Sequence, residues 1–495
     1  MTHQTDHLHE LYRESLSLLT DLYQLTMAYG YWKMGMADQK AVFHLSFRKK
    51  PFNGEFAVAA GLETALNFID NFQYSPSDLK YLEGLKAGDG KPLFEVEFLE
   101  FLRTLSFQCD IDALEEGTVV FPHEPILRVQ GPILQAQLLE SALLNIINFQ
   151  TLIATKAARI CWAARPDPVV EFGVRRAQGI DGALSASRAA FIGGCESTSN
   201  VLAGKVFDIP VRGTHAHSWI MAFEDEQIAF EKYAESIPQN CIFLIDTYDT
   251  INGVRKAIQV ALKMRQKGVE IFGVRLDSGD LAHLSISVRK ILDEAGFPKV
   301  KIMVSNELDE FIINDLKHQG AKIDIWGVGT NLVTSKDQSA LDGVYKLSAM
   351  EDVSGQWQYK VKISEQLVKV TNPGILQTRR YFDANGNVAD MIYDIHSTLE
   401  GNSQFVHPLD PTQWQSIPSN MQYIDLLIPV VRQGKRVYRS PPLEQIQKKA
   451  QADLARFHPG TRRFLYPQSY FVGLEKSLYE MKLNLIRDLK KKLGK

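Results

Sequence analysis

The chain has 495 residues, 45% hydrophobic and 23% charged, with a formal net charge of −3. That length exceeds one simple core and predicts two or three domains. The near-neutral balance excludes a general polyanion or nucleic-acid binder, so any phosphate chemistry must use local Arg and Lys. Cys109, Cys161, Cys195 and Cys241 follow no C-x-x-C spacing, which argues against a zinc knuckle or a disulfide scaffold and suits a reducing compartment. The opening MTHQTDHLHELYRESLSLL lacks a signal-peptide core, and no apolar run approaches the roughly 20 residues of a membrane span. The expectation is a soluble, cytoplasmic protein with neither membrane nor nucleic-acid partners.

In chain order, AVFHLSFRKK, EFAVAAGL and GTVVFPHEPILRVQG read as strands separated by Gly and Pro. LNIINFQTLIATKAARI then reads as a helix leading out of an N-terminal α+β sandwich, residues 1–155. GLKAGDGKP is a near miss for a phosphate-binding P-loop: the spacing is one residue too long and Pro92 stands where Ser or Thr is required. VVEFGV is followed by a helical pattern. The run from Val206 to Val211 reads as a buried strand ending in RGTHAHS. CIFLID, VEIFGVRLD and VKIMVS each lead through a polar junction into a segment of helical period, and AKIDIWGVG runs into TNLVTS.

Continuous apolar runs suit parallel strands buried on both faces, and the helices between them suit βα units. Residues 156–350 therefore predict an irregular (β/α) barrel, with an open doubly wound sheet as the alternative. Residues 351–495 form a C-terminal extension packing on the other domains: DVSGQWQYKVKISE and RRYFDANGNVADMIYDIH read as hairpins, the second with an Asn385-Gly386 turn signal. SLYEMKLNLIRDLKKKLGK closes the chain as a helix.

In such a barrel chemistry sits where strands end. Those junctions hold Arg175 and Arg176; Thr214, His215 and His217; Asp246 and Asp249; Arg275, Asp277, Ser278 and Asp280; Ser305, Asn306 and Glu307; and Gly327, Gly329 and Thr330. Arg forks bind phosphate oxygens, Asp accepts ribose hydroxyls or holds Mg²⁺, and a Gly-Val-Gly-Thr turn offers backbone N–H groups. Each group has a structural reading beside the functional one. Arg275 and Asp277 suit a rim ion pair, and Asp246, Asp249, Ser278 and Asp280 suit turns and helix caps. Thr214 or Ser218 suits a cap on the helix begun by WIMAF. No third ligand accompanies the two histidines at metal spacing, which argues against zinc. A His at a strand end facing an Arg-rich site suits a nucleophile or proton carrier.

LLTDLYQLTMAYGYW, EFGVRRAQGIDGALSASRAAFIGGCESTSNVLAG, RGTHAHS, GVRLDSGDL and GVGTNL closely resemble the nicotinate phosphoribosyltransferase family. The resemblance runs from about Leu18 to Leu347, with a compatible tail. It implies a type II phosphoribosyltransferase fold working as a homodimer with shared active sites. The implied reaction joins nicotinate to phosphoribosyl pyrophosphate, giving nicotinate mononucleotide and pyrophosphate, with Mg²⁺ and coupling to ATP hydrolysis, as the first step of NAD salvage from nicotinate. By the resemblance His217 is the phosphorylated histidine, Tyr23 and Phe172 sandwich the base, and Thr214 lies beside it. Arg175 and Arg275 meet the carboxylate and pyrophosphate, and Asp277 contacts ribose. Gly329 and Thr330 hold the 5′-phosphate, and Asp246 joins Asp277 as a catalytic carboxylate.

Two nearby relatives in chemistry read less well. A nicotinamide-using enzyme carries an acid in the loop matching Ser197-Thr198-Ser199-Asn200, where this chain has none. Quinolinate phosphoribosyltransferase is shorter and lacks the histidine loop. A non-catalytic phosphosugar-binding barrel is the alternative from another class, and it has no use for His217 or Tyr23.

Overall fold

The computed structural model describes residues 15–399 and 402–494. Most of the opening MTHQTDHLHELYRESLSLL lies outside the described residues. The chain forms two compact units: residues 1–151, 340–441 and 453–495 make one, and residues 152–339 and 442–452 make the other.

The first unit is assembled from three distant segments. Its seven-stranded sheet is antiparallel throughout and runs, edge to edge, Trp357–Tyr359, Gly343–Glu351, Lys40–Phe47, Leu127–Pro132, Asp110–Leu114, Leu427–Arg432 and Lys435–Arg436. A six-stranded sheet comes entirely from the tail and includes the hairpin Leu376–Asp383 and Gly386–Asp394. Thus residues 351–495, expected as an extension, belong to the same unit as residues 1–151, apart from the short piece 442–452. The hairpin loop itself is Ala384-Asn385, since Asp383 pairs with Gly386. Gly386 has φ +136°, and a Cβ there would lie 2.2 Å from the Arg456 carbonyl oxygen, so backbone approach demands glycine. The pseudo-P-loop forms a small turn in which Ala87 and Lys91 pair their backbones and the Lys91 ammonium sits 3.4 Å from Asp89.

The second unit is nearly continuous in sequence. Its strands are β1 (Val169–Glu171), β2 (Ser197–Thr198), β3 (Ile242–Leu244), β4 (Gly273–Leu276), β5 (Lys301–Asn306) and β6 (Ile325–Val328). They hydrogen-bond in the order β2-β1-β6-β5-β4-β3, every pair parallel. Because β6 lies beside β1, sequence order is circular order, and the sheet is a barrel open only between β2 and β3.

Helices follow the strands as expected: α1 (Ile180–Ile192) after β1, α2 (Val201–Phe207) after β2, α3 (His217–Met221), α4 (Glu226–Ser236), α5 (Thr250–Gln266) after β3, α6 (Leu281–Glu294) after β4, α7 (Glu310–His318) after β5 and α8 (Thr330–Val333) after β6. The apolar strand residues Phe243, Val274, Leu276, Ile302, Val304 and Trp326 are fully buried, which is why these runs lack the alternation of a half-exposed sheet. The Glu310 carboxylate at the start of α7 is buried between Lys156 and Arg159, at 2.8 Å from each.

One predicted element is corrected. Val206 and Phe207 end α2 rather than beginning a strand, and the chain reverses through Asp208 in the left-handed region. Val206 and Val211 are exposed, so the apolar run reflects the end of an amphipathic helix plus a linker. Residues 209–215 instead span the gap in the barrel. Thr198 of β2 exchanges backbone hydrogen bonds with Pro210 and Arg212. On the other side, the Leu244 N–H of β3 donates to the His215 ring Nε2 at 3.2 Å. A histidine side chain thus takes the hydrogen bond that a seventh strand would have made.

Candidate active site

A cavity of about 410 Å³ opens at the C-terminal ends of the strands, lined by residues of this unit. It gathers Phe172, Arg175, Thr214, His217, Arg275, Asp277, Gly329 and Thr330, eight of the ten residues singled out by sequence. They come from the ends of β1, β4 and β6 and from the barrel-closing segment, so closure and site construction share one stretch of chain.

The floor is aromatic. Phe172 follows β1, and its ring rests against Gly327 of β6, where an added Cβ would come within 2.8 Å of the ring. Glycine at 327 lets the ring lie low and leaves its other face to the cavity. The walls are cationic. Arg275 Nη1 donates to Thr214 Oγ1 at 2.5 Å, while its Nε is buried without a hydrogen-bond partner among the described residues. Burial pushes the Arg275 guanidinium pKa down, with Asp277 and Asp246 opposing that shift. Arg175 and Arg176 are exposed at the rim.

His217 opens α3, with Ala216 as the cap residue and no side-chain cap, so neither Thr214 nor Ser218 serves that role. Its Nδ1 lies 3.1 Å from Thr247 Oγ1 and its Nε2 lies 3.6 Å from Asp277 Oδ2. Asp277 is oriented in turn by Ser305, whose hydroxyl donates to Oδ1 at 2.5 Å. His215, two residues away, also borders the cavity, but its ring is buried against Tyr233, and desolvation holds its pKa down to about 4. It is therefore a neutral acceptor at ordinary pH. Arg212 pairs with Glu196 at the surface and does not line the cavity.

The remaining acids divide. Asp249 and Asp280 cap α5 and α6 by accepting from the Asn252 and His283 N–H groups, which fulfils the structural reading. Asp246 sits behind the cavity wall, where Oδ2 accepts from the Asp277 N–H and the Ser278 hydroxyl, both at 2.7 Å. Its Oδ1 is buried without a partner. Tyr23 belongs to the other unit, on the helix Leu22–Lys33, and is 48% exposed beside the exposed Leu19, Leu22 and Met27.

Three contributors escaped the sequence reading. Glu171 is fully buried; the Gly173 N–H donates to Oε1, and Ser187 and Thr198 donate to Oε2, which pins the turn carrying Phe172 and Ser199. The signal for it was a single acid inside the apolar run VVEFGV. Ser187, in the middle of α1, and Thr247, just after β3, carried no such signal.

The chain matches the nicotinate phosphoribosyltransferase (NAPRTase) N-terminal domain over residues 18–148, the nicotinate phosphoribosyltransferase family over 168–371 and the corresponding C-terminal domain over 377–482. A nicotinate phosphoribosyltransferase of Bacillus subtilis is 43% identical, the alignment covering 97% of each chain. The crystal structure of human nicotinic acid phosphoribosyltransferase superposes with a TM-score of 0.82 at 32% identity, covering 94% of this chain and 99% of that one. A nicotinate-nucleotide pyrophosphorylase from Pyrococcus furiosus shares the fold, with a TM-score of 0.66 at 24% identity over 89% of this chain and 95% of its own. The chain thus has the type II phosphoribosyltransferase fold expected from its sequence, and it belongs to the nicotinate phosphoribosyltransferase family.

Proposed function

We propose that this protein transfers the phosphoribosyl group of phosphoribosyl pyrophosphate to nicotinate, giving nicotinate mononucleotide and pyrophosphate in the first step of NAD salvage from nicotinate. The observation that carries the reading is the cavity itself, a flat aromatic floor at Phe172 beneath the partly unpaired Arg275 guanidinium. A pyridine ring stacks on the first while its carboxylate is drawn to the second. The pyridine nitrogen attacks ribose C1′ as the C1′–O bond to pyrophosphate breaks. No proton needs to move, because the nitrogen lone pair is the nucleophile. Positive charge develops on the ribose, and the Asp277 carboxylate is placed to stabilise it. Gly329 and Thr330, at the start of α8, hold the 5′-phosphate, and Arg175 at the rim meets the pyrophosphate.

Mg²⁺ fits the donor set, since Asp246 Oδ1 is buried and unpaired and the Asp277 carboxylate lines the cavity. Bound there with the substrate, it would neutralise the departing pyrophosphate. ATP acts through His217: with its Nδ1–H donating a hydrogen bond to Thr247 Oγ1, the Nε2 lone pair is free to attack the γ-phosphorus of ATP as the bond to ADP breaks. A nicotinamide preference is disfavoured because both acids beside the Ser197–Asn200 loop are committed, Glu171 to internal donors and Glu196 to Arg212. The exposed Tyr23 and its apolar neighbours support a homodimer with shared active sites, in which Tyr23 gains a base to stack on. Among the described residues no helix is long and apolar enough to cross a membrane, and we place the protein in the cytoplasm.

The test supplies phosphoribosyl pyrophosphate and Mg²⁺ with either nicotinate or nicotinamide, with and without ATP, and follows mononucleotide and ADP. Nicotinate mononucleotide formed faster with ATP, alongside ADP, is expected. Preferential turnover of nicotinamide would overturn the base assignment. In His217→Ala, ATP stimulation and ADP release should vanish while slow ATP-independent transfer persists; full stimulation in that variant would remove His217 from the reaction. Sedimentation analysis checks the dimer.

A further inference from the structure

A second polar cavity lies wholly within the first unit. It is small, about 40 Å³, space for roughly three waters. Among the described residues its polar lining is His44, Ser46, Arg48, His123, Lys346, Thr371 and Asn372, with no carboxylate. Behind Asn372 stands Lys482, 4% exposed, whose ammonium donates to Asn372 Oδ1 at 2.9 Å. Lys346 at the edge is paired with Glu140 at 3.3 Å. His44 is 6% exposed, and its Nε2 accepts from the Leu376 N–H at 3.1 Å. The proton of the neutral ring therefore sits on Nδ1, and that buried N–H has no partner among the described residues.

We propose that this cavity is a binding site for a single tetrahedral oxyanion, inorganic phosphate, held by Arg48 and the His44 Nδ1–H, with the Lys482 ammonium behind Asn372 adding positive potential. Cations withdrawn from water are costly unless paired; Arg48 is half-buried, and Lys482 meets an amide oxygen rather than a carboxylate. Burial, reinforced by Lys482, His407 and Arg48, drives the His123 pKa down to about 4. Burial alone lowers Lys482 to about 8, and Arg48 is lowered with only Asp342 opposing. An oxyanion would reverse every one of these penalties and would accept the stranded N–H. The volume limits the ligand to one phosphate-sized group. The site uses none of the barrel residues, so it stands or falls independently of the proposed reaction.

Calorimetric titration of the full chain with inorganic phosphate tests it, with parallel runs in sulfate, pyrophosphate and ribose 5-phosphate. Two classes of phosphate binding are expected, one weakened in Arg175→Ala and the other weakened about tenfold or more by Arg48→Gln or Lys482→Met. Lys482→Met removes a buried ammonium held by an amide oxygen, so its melting temperature in phosphate-free buffer should rise, separating lost binding from lost folding. Sulfate competing for the second class supports the assignment. Binding unchanged in both Arg48→Gln and Lys482→Met, or abolished entirely by Arg175→Ala, overturns the site. Pyrophosphate or ribose 5-phosphate occupying the second class as tightly as phosphate overturns the single-phosphate assignment.

Discussion

Buried charge is treated in opposite ways around Arg380, in the first unit, and in the barrel cavity. Arg380 is fully buried with Asp390 at 2.6 Å and Asp453 at 3.2 Å, and its remaining donor reaches the Val119 carbonyl. In the barrel cavity the groups are left partly unpaired: Arg275 Nε and Asp246 Oδ1 are both buried without partners. Complete pairing marks a framework, whereas unspent donors and acceptors mark a place where a ligand completes the structure. By the same measure the small cationic cavity in the first unit resembles a site more than a framework.

That contrast is breakable. The largest effect is expected at Arg380→Met, which strands two acids in a core and should cost about 3–5 kcal/mol of stability. Denaturant unfolding reads that loss, while kcat per folded molecule stays unchanged. Arg275→Ala should do the reverse, lowering kcat/KM for nicotinate by about a hundred- to a thousandfold with little loss of melting temperature. A large stability loss there would make Arg275 a framework residue after all.

His215 sharpens the comparison, because it lies in the site segment yet closes the barrel. Its folded pKa near 4 lies below the ordinary 6.5, so its contribution is complete above pH 6.5. As pH falls, the unfolded chain takes up a proton that the folded ring refuses, and the contribution fades until pH 4. Relative to His215→Gln, which cannot titrate, the wild type should lose about 2 kcal/mol between pH 7.5 and pH 5; an equal difference at both pH values would place His215 outside the barrel closure. The smallest effect is expected at Gly327→Ala. The added methyl must displace the Phe172 ring, so nicotinate KM should rise about tenfold, a shift of roughly 1.4 kcal/mol, with kcat changed less. A proportionate fall in kcat alone would mean the ring does not bind the base.

Much of this was legible beforehand for a physical reason. Parallel strands buried on both faces announce themselves as unbroken apolar runs, so the junctions after CIFLID, VEIFGVRLD and AKIDIWGVG placed Asp246, Asp277 and Gly329 at strand ends. Asp249 and Asp280 as caps followed from local backbone chemistry, which needs only a few neighbouring residues. The Val206–Val211 run misled because a short apolar stretch does not distinguish a strand from the end of a helix.

Sequence by itself determined the alternation of strand and helix in the barrel, the chemistry available at its strand ends and the family to which those motifs belong. Only the tertiary structure showed that His217 is flanked by Thr247 and Asp277. It alone showed that His215 serves as a missing strand's hydrogen-bond partner, that Glu171 is spent on holding the Phe172 turn, and that the tail and residues 1–151 form one unit. Those outcomes depend on contacts between residues far apart in the chain, and the energy of a buried donor or acceptor is set by whether such a partner arrives.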